Sequence, residues 1–306
     1  MGTANFGIVG MDWQQRVNWD RLRKYRIERA REMMKKHGLG AMLCMYDENC
    51  RYITGTLTPG WNRLKPGLRY AMLCGDATHW ECMKFLRPGI TENQVTAHLM
   101  KFLYDIPGME DVEDVIVSSG PNTWPNWRNF SDRIIQPGDI VFMDLAALTW
   151  NGYKSCYYRT YCVGKEPTQE QKETYATALK WLYDSIGAVK VGATTRDIAL
   201  KWPSAMETWG YEDEDQAAAN LWGHGLGLAQ YDPPVISRIW SLDHPVEIKE
   251  GMTFALETQH GKRFRYGVRI EEMLIVHKNE IEIVSNFPVK QITVVDPMPG
   301  YGDHVR

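Results

Sequence analysis

The chain repeats an outline of itself, and this repeat restricts the available folds more than any other feature. Gly89-Ile90-Thr91-Glu92-Asn93-Gln94-Val95 reads as a helix start with a Thr-x-x-Gln capping box, and Gly192-Ala193-Thr194-Thr195-Arg196-Asp197-Ile198 has the same outline about a hundred residues later. A second echo follows each. Pro137-Gly138-Asp139-Ile140-Val141-Phe142-Met143-Asp144 matches Glu250-Gly251-Met252-Thr253-Phe254-Ala255-Leu256-Glu257, a turn glycine and then an acid after the same interval. Two echoes in the same order predict a duplicated helix-plus-strand unit. Its halves pack around a pseudo-two-fold axis, and each delivers one carboxylate, Asp144 or Glu257, to the centre.

Asp144 and Glu257 end apolar runs, which predicts that both are buried and therefore paired, protonated or metal-bound. Glu271 lies in a third apolar run, Val268 to Val276, where alternation separates it from Glu272, so that one points inward and the other can face water. His224 sits in Trp222-Gly223-His224-Gly225-Leu226-Gly227, where glycines let backbone approach the imidazole closely. One His and three acids from separate strands suit iron, manganese or zinc, or, in the plainer reading, a hydrogen-bonded core histidine.

Ahead of the repeat, Asp20 to His37 reads as an amphipathic helix with Leu22, Ile27, Ala30 and Met34 on one side and His37-Gly38 as its stop. Ala41 to Tyr46 and Tyr70 to Cys74 read as strands around a Gly/Pro-rich loop, Thr54 to Gly67. Residues 1–80 are expected to form a small α/β unit and residues 81–306 the main domain, since 306 residues at 44 % hydrophobic content can fill more than one core. Six scattered cysteines without a Cys-x-x-Cys pair predict packed, reduced thiols. A net charge of -3 gives no reason to expect nucleic acid or an anionic membrane. With neither a leader pattern nor a long apolar run, a cytoplasmic location is expected.

These residues carry a family resemblance. Gly138 to Asp144, Gly152-Tyr153 leading to Arg159-Thr160, His224-Gly225-Leu226-Gly227, Glu257 and Arg269-Ile270-Glu271 resemble, in order and spacing, the five-ligand signature of the pita-bread superfamily of creatinase, prolidase and methionine aminopeptidase. Ser119-Gly120-Pro121-Asn122 and Tyr231-Asp232-Pro233-Pro234 match its landmarks, and Arg51-Tyr52-Ile53-Thr54-Gly55 resembles the N-terminal domain of prolidase and creatinase relatives. The resemblance implies an α+β pita-bread fold behind a shortened N-terminal domain. It also implies a full helix before Arg87-Pro88-Gly89, for which a segment near Trp80-Glu81 looks deleted, and a homodimer.

The signature also implies two aspartates, a histidine and two glutamates around two ions, but here Cys156 stands for the second aspartate. Asp144, Cys156, His224, Glu257 and Glu271 become the expected metal set, holding one divalent ion of iron, zinc or manganese, or none. Trp127 and Tyr231 stand where the resemblance implies substrate-binding histidines. Trp124, Trp127, Tyr153 and Tyr231 are therefore expected to line a pocket for a small cationic or zwitterionic substrate, the alternative being simple packing. Arg159 or Arg269 would meet a substrate carboxylate, Asp144, Glu257 or Glu271 would be base or ligand, and Tyr153 or Tyr231 would orient the leaving portion. The expected activity is lyase or hydrolase chemistry on a small polar or onium-type metabolite, nearest the dimethylsulfoniopropionate lyase-like or creatinase-like branch. A metal-dependent Xaa-Pro dipeptidase and an inactive binding module are the alternatives.

Overall fold

The computed structural model describes residues 18–39, 49, 52–53, 72–107, 109–150, 153–216 and 222–296. Helix α1 (Trp19–Lys36) starts where the Asn18 side chain accepts from the Arg21 amide at 2.9 Å and stops at His37, with Gly38 left-handed at φ +66°. Its apolar stripe is half-buried. The helix is anchored instead by buried Arg26, which donates to the Tyr153 hydroxyl at 2.7 Å. The strand expected over Ala41 to Tyr46 and the loop Thr54 to Gly67 lie outside the described residues.

The strand expected over Tyr70 to Cys74 is a misreading, because the chain enters helix α2 (Met72–Phe85) there. A short apolar run fits a buried helix as well as a strand, and only its neighbours decide. Gly75, His79, Cys82 and Leu86 line the buried side, and Cys82 and Leu86 join the same core as the strands that follow. The helix runs unbroken through Trp80-Glu81, so the element implied before Arg87 is present and the expected boundary at residue 80 falls inside it.

In the first half, helix α3 (Glu92–Asp105) leads to strand β1 (Met109–Ser119), and β2 (Ile140–Trp150) returns antiparallel to it. Strands β3 (Tyr153–Ser155) and β4 (Tyr158–Val163) follow along the other edge of β2. The second half comprises helices α4 (Gln169–Ala188), α5 (Thr195–Ala199) and α6 (Ala205–Trp209), then β5 (Gly223–Gly225), β6 (Asp232–Ile236), α7 (Arg238–Ser241), β7 (Thr253–Lys262), β8 (Tyr266–Val276) and β9 (Ile281–Ile283). Strand β10 (Thr293–Val295) returns parallel to β4, giving sheet orders β1-β2-β4-β10 and β6-β5-β7-β8-β9. The sheets meet where β4 lies on β8. There the Thr160 hydroxyl donates to the Arg269 carbonyl at 2.6 Å and accepts from the Arg269 amide at 3.0 Å.

The halves correspond residue by residue. Thr91 and Thr194 each close a capping box, and each also bridges a distant strand-like residue, Ile134 or Glu247. Gly138 and Gly251 are left-handed at φ +90° and +83° and donate to equivalent carbonyls, Val163 at 2.6 Å and Val276 at 2.8 Å. Asp144 pairs in register with Tyr158 across β2 and β4, as Glu257 pairs with Glu271 across β7 and β8. This is the pita-bread arrangement.

The symmetry breaks beside Cys156. Between the pairs Leu148–Ser155 and Asp144–Tyr158, residues 145–147 of β2 stand opposite only residues 156–157, and Ala147 takes φ +60°. This β-bulge interrupts the ladder beside Cys156, the kind of irregularity that re-aims a side chain.

Candidate metal centre

Strand register carries three carboxylates to one centre: Asp144 from β2, Glu257 from β7 and Glu271 from β8, all buried. His224 enters beside them because β5 pairs with β7, opposite Ala255. Its backbone lies so close to β6 that a Cβ on Gly225 would stand 2.4 Å from the Asp232 carbonyl oxygen. The His224 Nδ1 faces the Gly225 carbonyl at 3.0 Å; a carbonyl only accepts, so Nδ1 carries the proton there, and the Gln230 backbone is a second hydrogen-bonding neighbour of the ring. Cys156, turned inward at the bulge, brings its Sγ to 3.8 Å from Glu271 Oε2 and 3.9 Å from Asp144 Oδ1. Ligand atoms of Cys156, His224 and Glu271 all lie within 4.8 Å of one another.

The electrostatics of this cluster are severe. Burial, then the neighbouring Glu257, pushes Asp144 and Glu271 well above the usual carboxylate range. Burial raises Glu257 to about 7 against the opposing pull of Arg269, and burial, then the carboxylates, raises the Cys156 thiol. His224 is lowered to about 4 by burial.

Arg269 is the cation within reach of all three acids, and burial lowers its pKa while Glu257, Asp144 and Glu271 support its charge. Its guanidinium carbon lies 4.9 Å from the ring centre of Trp127, 5.2 Å from Tyr158 and 5.3 Å from Phe142, and it donates to Gln259 Oε1 at 2.7 Å. The aromatic cage thus holds the protein's own arginine.

The four aromatic residues expected to line one pocket are dispersed. Trp124 is buried against Trp209 at 5.3 Å between ring centres, under the β7–β8 turn. Tyr153 is tied to Arg26, and exposed Tyr231 meets the His224 ring edge-on at 4.8 Å. Only Trp127 and Tyr231 reach the site, one through Arg269 and the other through His224.

Arg159 does not reach the site. It lies on the reverse face of the sheet, buried, and donates to Glu272 at 2.8 Å and to the carbonyls of Phe287 and Glu271. Glu272 is buried there too, with the Ser285 hydroxyl and Tyr183 at 3.2 Å as further donors, so neither acid of the pair faces water as one was expected to. Alternation was sound, but β8 is central and covered on both faces, so the outward side met protein.

Sequence reasoning missed several participants. Buried Gln230 donates to Cys156 Sγ at 3.8 Å, and its only signal is its place beside Tyr231. Gln259 follows Glu257 by two and Phe142 precedes Asp144 by two, so alternation along their strands would have found both. A cleft of about 960 Å³ between α2, α4 and the 287–294 segment shares no residue with this centre.

The donor set fits a divalent cation. Three carboxyl groups and a thiol are buried together beside the Arg269 guanidinium, and protons or a metal can correct the remaining imbalance of charge. Among the described residues Glu271 Oε1 is buried without a hydrogen-bond partner, and an unpartnered buried carboxylate oxygen is costly.

Comparison with known proteins identifies the family and the fold. The model of metallopeptidase family M24 matches residues 66–278. The probable dipeptidase PepE of Mycobacterium tuberculosis strain H37Rv is 29 % identical over 227 residues, 74 % of this chain and 58 % of the relative. The Xaa-Pro dipeptidase of Pyrococcus furiosus is 32 % identical over 192 residues, 62 % of this chain and 52 % of the relative. In structure, the dipeptidase PepE of Mycobacterium ulcerans superposes with a TM-score of 0.64 at 29 % identity, over 74 % of this chain and 58 % of that one. This chain therefore spans little more than half the length of these relatives. All of them carry peptidase names, and the expected nearness to a lyase-like or creatinase-like branch finds no support in them. By the family match and the shared fold, this chain belongs to metallopeptidase family M24.

Proposed function

We propose that this protein is a metal-dependent hydrolase that cleaves a small peptide-like amide, in the manner of the dipeptidases it resembles. One observation carries the reading: Cys156, His224 and Glu271 present donor atoms within 4.8 Å of one another, beside a Glu271 oxygen that has no hydrogen-bond partner among the described residues. These three, with Asp144 and Glu257 adjoining, would hold the ion. A divalent ion bound there supplies Lewis acidity toward a carbonyl oxygen.

The chain's own residues do the rest. His224 brings its imidazole beside Cys156 and Glu271, with the Gly225 carbonyl holding the ring in place. The buried carboxyl of Glu257 holds or passes a proton, as a general acid–base group must. Arg269, caged by Trp127, Phe142 and Tyr158, balances the carboxylates and keeps them close together. Exposed Tyr231, edge-on to His224, forms the wall nearest to solvent.

A second reading, elimination or hydrolysis of a small onium-type metabolite, is favoured by one observation: Trp127 and Tyr231 provide no imidazole at the positions where the resemblance implies two. The test is direct. The metal-loaded protein is incubated with a dipeptide panel, with and without Pro in the second position, and with small onium carboxylates, and products are identified by mass. Dipeptide cleavage that disappears with chelator and in Glu271→Gln supports the hydrolase. An unsaturated product from the onium compounds with intact dipeptides overturns it in favour of the second reading.

A further inference from the structure

The Cys156 contacts are the wrong length for hydrogen bonds and the right length for something else. A thiol approaching a carboxylate at 3.8 or 3.9 Å gains little as a donor. Around a tetrahedral ion with metal–sulfur and metal–oxygen bonds of about 2.3 and 2.0 Å, however, the sulfur–oxygen edge is roughly 3.5 Å. Buried Gln230 adds an amide donor, at 3.8 Å from Sγ, which supports a sulfur that accepts rather than donates. The bulge at Ala147 stands beside Cys156 in the ladder. Cys156, His224 and Glu271 also match the three-protein-ligand pattern with a fourth position open.

We propose that Cys156 makes this a one-ion centre, in which its thiolate is a direct ligand and selects zinc or cobalt over manganese. The inference rests on the preceding reading that the cluster binds a metal. Where an aspartate could reach two ions through two separate oxygens, Cys156 has a single sulfur, 3.8 Å from Glu271 Oε2, and that sulfur is assigned to one ion. Sulfur ligation discriminates against manganese, which prefers oxygen donors. On binding, the Cys156 S–H bond breaks, its proton leaves to solvent, and a sulfur–metal bond forms; no electrons are transferred.

The test titrates the full chain, stripped by chelator and kept reduced, with cobalt(II) chloride. The expected result is a sulfur-to-cobalt charge-transfer band in the near-ultraviolet that stops rising at one cobalt per chain and persists in excess manganese(II) chloride. Cys156→Ser should bind cobalt without the band, and Cys156→Asp should lose the band and take up two ions. Saturation of the wild type without the band, or at two ions, overturns the proposal, as does a band that survives in Cys156→Ser. The wild-type spectrum decides even if a variant fails to fold. The band without dipeptide turnover removes the dipeptidase reading alone, turnover without the band removes this inference alone, and no cobalt uptake removes both.

Discussion

The guanidinium of Arg269 lies 4.9 Å from the ring centre of Trp127, so the aromatic residue at a position where the family resemblance implies a histidine meets the carboxylate cluster through an arginine. Trp127 is partly exposed and also packs on Ile116, Phe142 and Ala146. Trp127→Ala should therefore cost about 2 kcal/mol, the sum of a partly desolvated cation–π contact and lost burial, while Trp127→Phe keeps a good part of it. Urea unfolding of the two variants checks this. Equal losses would mean that the ring face contributes nothing.

The reverse face of β8 gives a second expectation. Arg159 and Glu272 are both buried and bonded at 2.8 Å, so Arg159→Met strands a buried carboxylate and should cost about 3–5 kcal/mol. Arg159→Met with Glu272→Met should be more stable than either single variant. A double-mutant cycle by chemical denaturation measures the coupling. A double variant less stable than Arg159→Met would refute the pairing.

Ala147 is a non-glycine residue at φ +60° in the bulge beside Cys156. Ala147→Gly removes the clash of a Cβ in the left-handed region and adds unfolded-chain entropy, two opposing effects each of about 1 kcal/mol. The net change in stability should be small, whereas Ala147→Val should destabilise by more than about 1 kcal/mol because a branched Cβ fits this region worst. Thermal unfolding separates the two.

The capping boxes test the internal symmetry. Thr91→Ala and Thr194→Ala each remove a side-chain acceptor at a helix start and should each cost about 1 kcal/mol. The two losses should add to within about 0.5 kcal/mol, since the caps belong to different halves. Calorimetry of the single and double variants is sufficient.

His79 predicts a pH dependence. It is fully buried, with Nδ1 at 2.8 Å from the Tyr161 hydroxyl, and burial and then the Arg159 charge hold its pKa well below 6.5. The native state keeps the ring neutral while the unfolded chain takes up a proton below about pH 6.5. Stability is therefore lost as pH falls through that value, by up to about 1.4 kcal/mol per unit. His79→Gln should flatten the fall between about pH 6.5 and 5. Parallel slopes for variant and wild type would show that His79 does not titrate in this way.

The sequence by itself determined the duplication, because Gly138 and Gly251, Thr91 and Thr194, and Asp144 and Glu257 are local signals: a turn, a cap, and an acid ending an apolar strand. It also marked Asp144, His224, Glu257 and Glu271 as residues whose burial would need an explanation. The tertiary structure alone decided which partners they meet. Arg269 and Arg159 look equivalent in sequence, yet alternation sends one to the acids and the other to Glu272, on a face buried only because other elements cover it. Helix α2 could be read as a strand because an apolar run does not state its own conformation. The place of Cys156 beside Glu271 depends on a bulge and on the meeting of two sheets, neither of which any local run of residues encodes.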